Sequence, residues 1–487
     1  MKAYPAPLGP QKMAAPLLPY SLAAGAALLH FVLVDSFFQL MTRFVTALLA
    51  GIAVLSWARY LQQRPSELPW LPVITSFMYL QQGMGALQAP VSIGVWGYLP
   101  QARSYDSATL IALVAELAAI AGFSAVRRIR KDKYVSIPDL SIDSLDLSAN
   151  VHLAGGVLMF AFAYSKWAVS SFGLLLSIMF GAAAVVSTTM LVALRKPSRW
   201  ATIRVVLACG LAMGLTFRSS MLGDAVFPLA AGGIIWVAER KRLPLAMGAL
   251  VLCIGLVLQP VKTHFRIIKW AQKSEMSAAD AWAEAFSRTA LQQGGGSAER
   301  LDAGADEMGR RASEFGTLAY VYEMVPSHIP HGEGLSYAPA FLGVIPRAVW
   351  PDKPNMTTAG VDLLAIALGL STQEQAMNST TGVPLIHCGY FEHGVFGSIA
   401  WLFVVGLCVA LVASLGRAES AGARVLQAVV LVHMTYALAN TLAAFLGCIQ
   451  QTVGLCVMLV LLRAVGRLRG IFSRRVLPAS PVGKLPV

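Results

Sequence analysis

The chain has 487 residues, of which 56% are hydrophobic and 13% charged, with a net charge of +13. Soluble globular chains carry about 25% charged residues, so this composition excludes a single soluble domain. The basic excess sits in short clusters between apolar runs, such as Arg127-Arg128-Ile129-Arg130-Lys131 and Arg240-Lys241-Arg242. That is the pattern of cytoplasmic loops beside a membrane, not of a nucleic-acid-binding face.

Apolar runs long enough to cross a hydrocarbon core of about 30 Å recur along the chain. Backbone groups in lipid must bond within their own segment, so each run is read as a helix, and the alternation of a membrane barrel is absent. In chain order the runs cover 17–37, 43–59, 70–88, 107–126, 151–167, 170–194, 201–217, 222–239, 243–260, 392–415, 425–442 and 445–463. The first is read as a retained helix because no clear cleavage site follows it. Gln81 and Gln82 interrupt the third. The sequence thus describes an all-α polytopic membrane protein with about twelve transmembrane helices. Its parts are an N-terminal membrane bundle over 1–261, a large loop over 262–391, C-terminal helices over 392–463 and a basic tail over 464–487.

Charge sets the expected topology. With a cytoplasmic N-terminus, Arg59 and Arg64, the 127–133 cluster, 195–199, 240–242, Arg417, Arg424 and 463–475 all fall inside. Only a few bases, such as Arg43, Arg103, Lys166 and Arg218, fall outside in short loops. The loop between helices nine and ten is then extracytoplasmic, and both termini are cytoplasmic.

Five of the six cysteines lie in apolar runs and none forms a CxxC pair, so neither a disulfide framework nor a zinc site is expected. No cofactor is implied. Within the loop, residues 262–273 read as an amphipathic helix. Lys262, Arg266, Lys269 and Lys273 share one face, and Phe265, Ile268 and Gln272 another. Such a helix anchors in the membrane interface or attracts phosphate. Helices are also expected over 278–291 and 299–324, separated by the flexible Gly294-Gly295-Gly296-Ser297.

The segment Ile345-Pro346-Arg347-Ala348-Val349-Trp350-Pro351-Asp352-Lys353-Pro354 follows. Its prolines fix a rigid path that holds Arg347 and Lys353, with Trp350 as an interfacial anchor. A guanidinium held this way suits bidentate phosphate recognition; equally, it makes a rigid corner whose Arg pairs with a loop acid. Arg218-Ser219-Ser220 ends the seventh run and reads as a polar site or as an interface anchor. Loop histidines and acids include His328, His331, His393, Glu323, Glu333, Asp352 and Glu392, without the His-Glu-x-x-His spacing of a helical zinc site. Glu116 lies near the middle of the fourth run, where an acid is usually functional or paired.

Three places resemble the Wzy-type oligosaccharide repeat-unit polymerases of bacterial O-antigen and exopolysaccharide assembly. They are Gly334-Leu335-Ser336-Tyr337 leading into 345–354; Ser379-Thr380-Thr381-Gly382 followed by 389–397; and Thr216-Phe217-Arg218-Ser219-Ser220. The chain departs from the pattern at His387-Cys388, where an acid is common. The resemblance implies a GT-C-like, metal-independent glycosyltransferase of the bacterial inner membrane. Its donor and acceptor would be undecaprenyl-pyrophosphate-linked oligosaccharides, with a chain-length regulator as an open further partner. Arg218, Arg266 and Arg347, backed by Lys269 and Lys353, are then candidates to stabilise the pyrophosphate leaving group. Glu392, His393 and Asp352 are candidates for the base that activates the acceptor hydroxyl. An O-antigen ligase shares this general plan. Glu116 instead favours a lipid-linked oligosaccharide flippase or coupled transporter. A non-catalytic scaffold is disfavoured by the outward arginines.

Overall fold

The computed structural model describes residues 17–62, 68–88, 90, 92–93, 95–130, 142–164, 183–186, 189, 199–219, 222–271, 276–292, 314–343, 345, 350, 352, 363–373, 383–414, 421–438, 442 and 445–447. Among them the chain is helical without a named strand, and Ile93 and Tyr98 form an isolated bridge. Before the loop come α1 Leu18–Leu33, α2 Leu40–Gln62, α3 Trp70–Gln82, α4 Ala102–Arg130, α5 Ile142–Tyr164, α6 Arg199–Ser219, α7 Leu222–Arg240 and α8 Leu245–Arg266. In the loop follow α9 Ala278–Gln292, α10 Phe315–Met324, α11 Tyr337–Gly343 and α12 Leu363–Ala367. Then come α13 Leu385–Ala413 and α14 Ala421–Leu438.

Helices therefore occupy the expected apolar runs, apart from 170–194 and 445–463, which lie mostly outside the described residues. Three described helices, α2, α4 and α13, are long and apolar enough to cross a membrane. α3 stops short of its expected end at 88, because Gly83 closes it and residues 84–87 turn into a 3-10 coil. Some helix ends also meet one another. The Lys241 ammonium lies 3.5 Å from the Tyr60 ring centroid, and Glu239 at the end of α7 pairs with Arg424 in α14.

The centre of the molecule is α4. Ala108, Ala112, Ala115 and Ala119 recur every three or four residues and are buried, giving a smooth face that admits close neighbours. α13 crosses it where a Cβ on Gly122 would strike the Phe403 carbonyl oxygen, and one on Gly406 the Ala119 carbonyl oxygen. Only glycine allows that approach.

Two expectations need correction. No break separates the ninth run from an amphipathic helix at 262. α8 continues through Pro260 to Arg266 and passes into a π turn over Ile267–Ala271. Val261, Phe265 and Ile268 are buried against Ala281, Trp282 and Ala285 of α9, with the Phe265 and Trp282 rings stacked at 4.6 Å. This apolar face is covered by protein, so it does not lie in the lipid interface.

The second correction concerns α13. His393 and Gly394 leave helical backbone values, with Gly394 at φ +63°. The Ser398 hydroxyl donates to the Ile386 carbonyl at 2.8 Å, although in a continuous helix residues twelve apart stand about 18 Å apart. A Cβ on Gly389 would meet the Gly397 carbonyl oxygen at 2.7 Å. The chain therefore folds back on itself. Residues 385–392 form a first limb packed against the start of a second limb, 395–413. The second limb alone has about 28 Å of rise, enough to span. The first limb is buried throughout, so its backbone enters the bundle only where protein encloses it. The loop boundary expected at 391 falls at the hairpin tip, and the last part of the loop is part of the bundle.

Candidate functional site

The hairpin tip organises the loop around it. Glu392, the last residue of the first limb, is 1% exposed. Its Oε2 accepts the N–H groups of Gly334 and of Leu335, the latter at 3.1 Å, and its Oε1 accepts that of Ser336 at 2.8 Å. These three amides lead directly into α11, so the carboxylate caps that helix from a distant element, as an acid at a helix N-terminus does. Glu392 is thus held inside a turn, its two oxygens occupied, and its geometry is that of a positioning residue.

That turn delivers Tyr337. Its ring lies 5.8 Å from that of His393 and 5.7 Å from that of Trp401, whose indole N–H donates to the Tyr337 hydroxyl at 3.4 Å. His393 is exposed at the tip. His331 also packs against the tip. The His331 Nδ1 lies 3.0 Å from the Phe391 carbonyl. A carbonyl only accepts, so Nδ1 carries the proton and Nε2 keeps its lone pair. That Nε2 lies 3.9 Å from the position of a Cβ on Gly394. A tautomer-fixed imidazole, an exposed imidazole and a phenol thus surround one turn. Such groups can accept a proton, bind hydroxyls and stack against a sugar face.

A second acidic clasp holds the loop to α4. Glu323 accepts the Tyr98 hydroxyl at 2.6 Å, the Gln101 N–H at 3.0 Å and the Ser104 hydroxyl at 2.8 Å. Burial pushes its carboxyl up, but these hydrogen bonds and the Arg103 charge bring it below the usual carboxylate value. The Tyr320 hydroxyl ties α10 to the Leu368 carbonyl at 2.8 Å, and the Val95 N–H reaches the Gly369 carbonyl at 2.9 Å. Beneath, the Glu314 N–H donates to the Gln81 carbonyl at 2.8 Å, and His387 Nε2 meets the Glu314 carbonyl at 3.2 Å. Burial lifts the Glu314 carboxyl to about 7 against an opposing hydrogen bond with Thr317.

The sequence candidates distribute unevenly over this frame. Glu392 and His393 are adjacent at the tip. Asp352 is an exposed turn residue. Lys262 is buried, and Arg266 and Lys269 are half-buried along α8, with the Lys269 ammonium donating to the Met276 carbonyl at 2.6 Å. These three alternate along the chain with Val261, Phe265 and Ile268, which pack with α9 in a cluster distinct from the hairpin's. Arg218 is in the last turn of α6. Arg347 and Lys353 lie outside the described residues. Glu116 is fully buried in α4, and neither carboxylate oxygen has a hydrogen-bond partner. Among the described residues no group of three metal-ligating side chains comes together.

In the sequence His331 and Glu323 are only two among the loop's histidines and acids, Tyr337 only part of a family-like segment, and Trp401 carries no signal. The available signal was the glycine spacing 389, 394 and 397 within an apolar run, which suits a reversal better than a straight span.

Fold and site together define an all-α membrane protein whose long loop is built into its helical bundle through a hairpin. The chain belongs to the family described as a domain of unknown function, DUF8712, whose model matches residues 75–438. The match runs from α3 to the end of α14 and contains the hairpin and both acidic clasps. No curated protein and no solved structure matches the chain.

Proposed function

We propose that this protein is a glycosyltransferase of the bacterial inner membrane, polymerising undecaprenyl-pyrophosphate-linked repeat units into O-antigen or exopolysaccharide. In this proposal it has about twelve spans in a GT-C-like arrangement, both termini cytoplasmic and the hairpin tip facing outward. The observation that carries it is the convergence of His331, His393 and Tyr337 on one turn of a loop anchored within the bundle. In this reading the imidazoles supply a proton acceptor and Tyr337 a surface that stacks against a sugar.

The reaction breaks the bond between the donor's anomeric carbon and the pyrophosphate oxygen. It forms a bond from that carbon to an acceptor hydroxyl oxygen. His331 Nε2 takes the hydroxyl proton directly or through His393, and the pyrophosphate leaves as an anion. Fixed cations stabilise that anion; Arg347, Arg218 and Arg266 are proposed for this, with Lys269 and Lys353 behind them. Glu392 holds the turn that places Tyr337. The test is a strain lacking the protein. Accumulation of single lipid-linked repeats with loss of long polymer supports the proposal. Repeats trapped on the cytoplasmic face point to a flippase, and long polymer left unattached points to a ligase.

The unpartnered Glu116 carboxylate favours one rival, a coupled flippase, because a buried acid in a span is a common proton relay. Glu116→Gln should then abolish translocation of lipid-linked glycan, and normal translocation would remove that rival.

A further inference from the structure

Away from the hairpin, α1, α2 and α3 enclose a cavity of about 430 Å³, within the range of small-ligand sites. Its lining is mainly apolar. Leu29 and Leu33, among its lining residues on α1, are 60% and 57% exposed. In an apolar membrane helix that surface faces hydrocarbon, so the cavity adjoins lipid.

One lining residue does not suit an empty apolar space. His30 is buried, and its Nδ1 lies 2.9 Å from the Tyr79 hydroxyl. An imidazole nitrogen accepts better than a phenol oxygen, so the phenol donates and the ring proton sits on Nε2. That Nε2 is buried and has no hydrogen-bond partner, and an unmet buried donor is costly. His30 stands three residues before the end of α1 at Leu33, about 5 Å along the axis. This is close to the edge of the hydrocarbon, where ester carbonyls lie, and far from the bilayer centre.

We propose that this cavity binds one acyl chain of an ester-linked membrane phospholipid, whose ester carbonyl accepts the His30 Nε2–H. A polyprenyl chain would fill apolar space but carries no such oxygen. The inference rests on the membrane assignment and is independent of the proposed glycosyl transfer.

The test uses the full-length protein in vesicles of phosphatidylethanolamine and phosphatidylglycerol with a trace of phosphatidylcholine bearing a mid-chain diazirine. Photolabelling should concentrate on Ala50, Ala53 and Val54 inside the cavity, several-fold above Leu22 and Leu28 on the outer face of α1. Diester phospholipid should compete for this label about fivefold better than its diether analogue, the effect of one hydrogen bond. In His30→Phe the two competitors should become equal. Uniform labelling along α1, equal competition on the unmodified protein, or stronger competition by undecaprenyl phosphate would overturn the proposal. The comparison on the unmodified protein needs no variant to fold.

Discussion

Replacing Glu392 by Gln separates a positioning role from a chemical one. Three amide N–H groups converge on the carboxylate, two on Oε2 and one on Oε1, and the side chain is 1% exposed. Hydrogen bonds to a charged group contribute about 1.5–3 kcal/mol each. Glutamine keeps one carbonyl oxygen, while its NH2 must face an amide that also donates. At least one bond is lost and one buried donor left unmet, so local opening should become easier by about 2–4 kcal/mol. Even the lower figure is roughly a 30-fold rise in the opening equilibrium. Hydrogen exchange by mass spectrometry over residues 332–343 reads this directly, because exchange of protected amides tracks local opening. The Gly334–Ser336 amides should exchange at least about 30-fold faster in Glu392→Gln, with little change in α4. Unchanged protection of these amides would refute the assignment of Glu392 as the holder of the turn.

Further outcomes follow from the same geometry. Gly397→Val places side-chain atoms on the Gly389 backbone, which cannot move aside. Size-exclusion chromatography should show loss of the monodisperse folded peak, whereas Gly248→Ala, which meets nothing within 4 Å, should keep it. The Glu314 carboxyl sits at about 7 in the folded protein against an ordinary 4.5. Between those values the folded state keeps a proton that the unfolded chain has released. Its stabilisation is full below the lower value and lost as pH rises through the upper one. Thermal melts should therefore fall from about pH 5 to about pH 8 more steeply than in Glu314→Gln, and identical slopes would count against this account. If Arg347 grips pyrophosphate through its fork, Arg347→Lys should lose most polymer while inserting normally; unchanged glycan length removes that role.

Much of the helical plan was legible from hydropathy, because a segment in lipid must satisfy its own backbone. The loop helix expected over 278–291 is observed at Ala278–Gln292, since its alanines and Trp282 give it one apolar face. Boundaries set by tertiary packing were not legible. α8 runs past 261 because α9 covers Phe265 and Ile268, and no local signal at Pro260 announces that partner. The fold-back at His393 was hidden because both limbs are apolar and together resemble one long span. Of the candidate site, Glu392 and His393 were named among the loop's acids and histidines and, through the family resemblance, as candidate bases. The role of Glu392 could not be read, because its three donors lie more than fifty residues away. The tautomer of His331 had no local signal either, because the Phe391 carbonyl that fixes it is distant in sequence.

The central claim is glycosyl transfer at the hairpin tip. It is tested most directly with the purified full-length protein in proteoliposomes, given one undecaprenyl-pyrophosphate-linked repeat unit as both donor and acceptor. The account predicts a ladder of lengthened glycans with release of undecaprenyl pyrophosphate, undiminished by a metal chelator and lost in His331→Gln. No ladder from the unmodified protein would contradict the claim of glycosyl transfer, whereas a full ladder from His331→Gln would contradict only the role assigned to that imidazole.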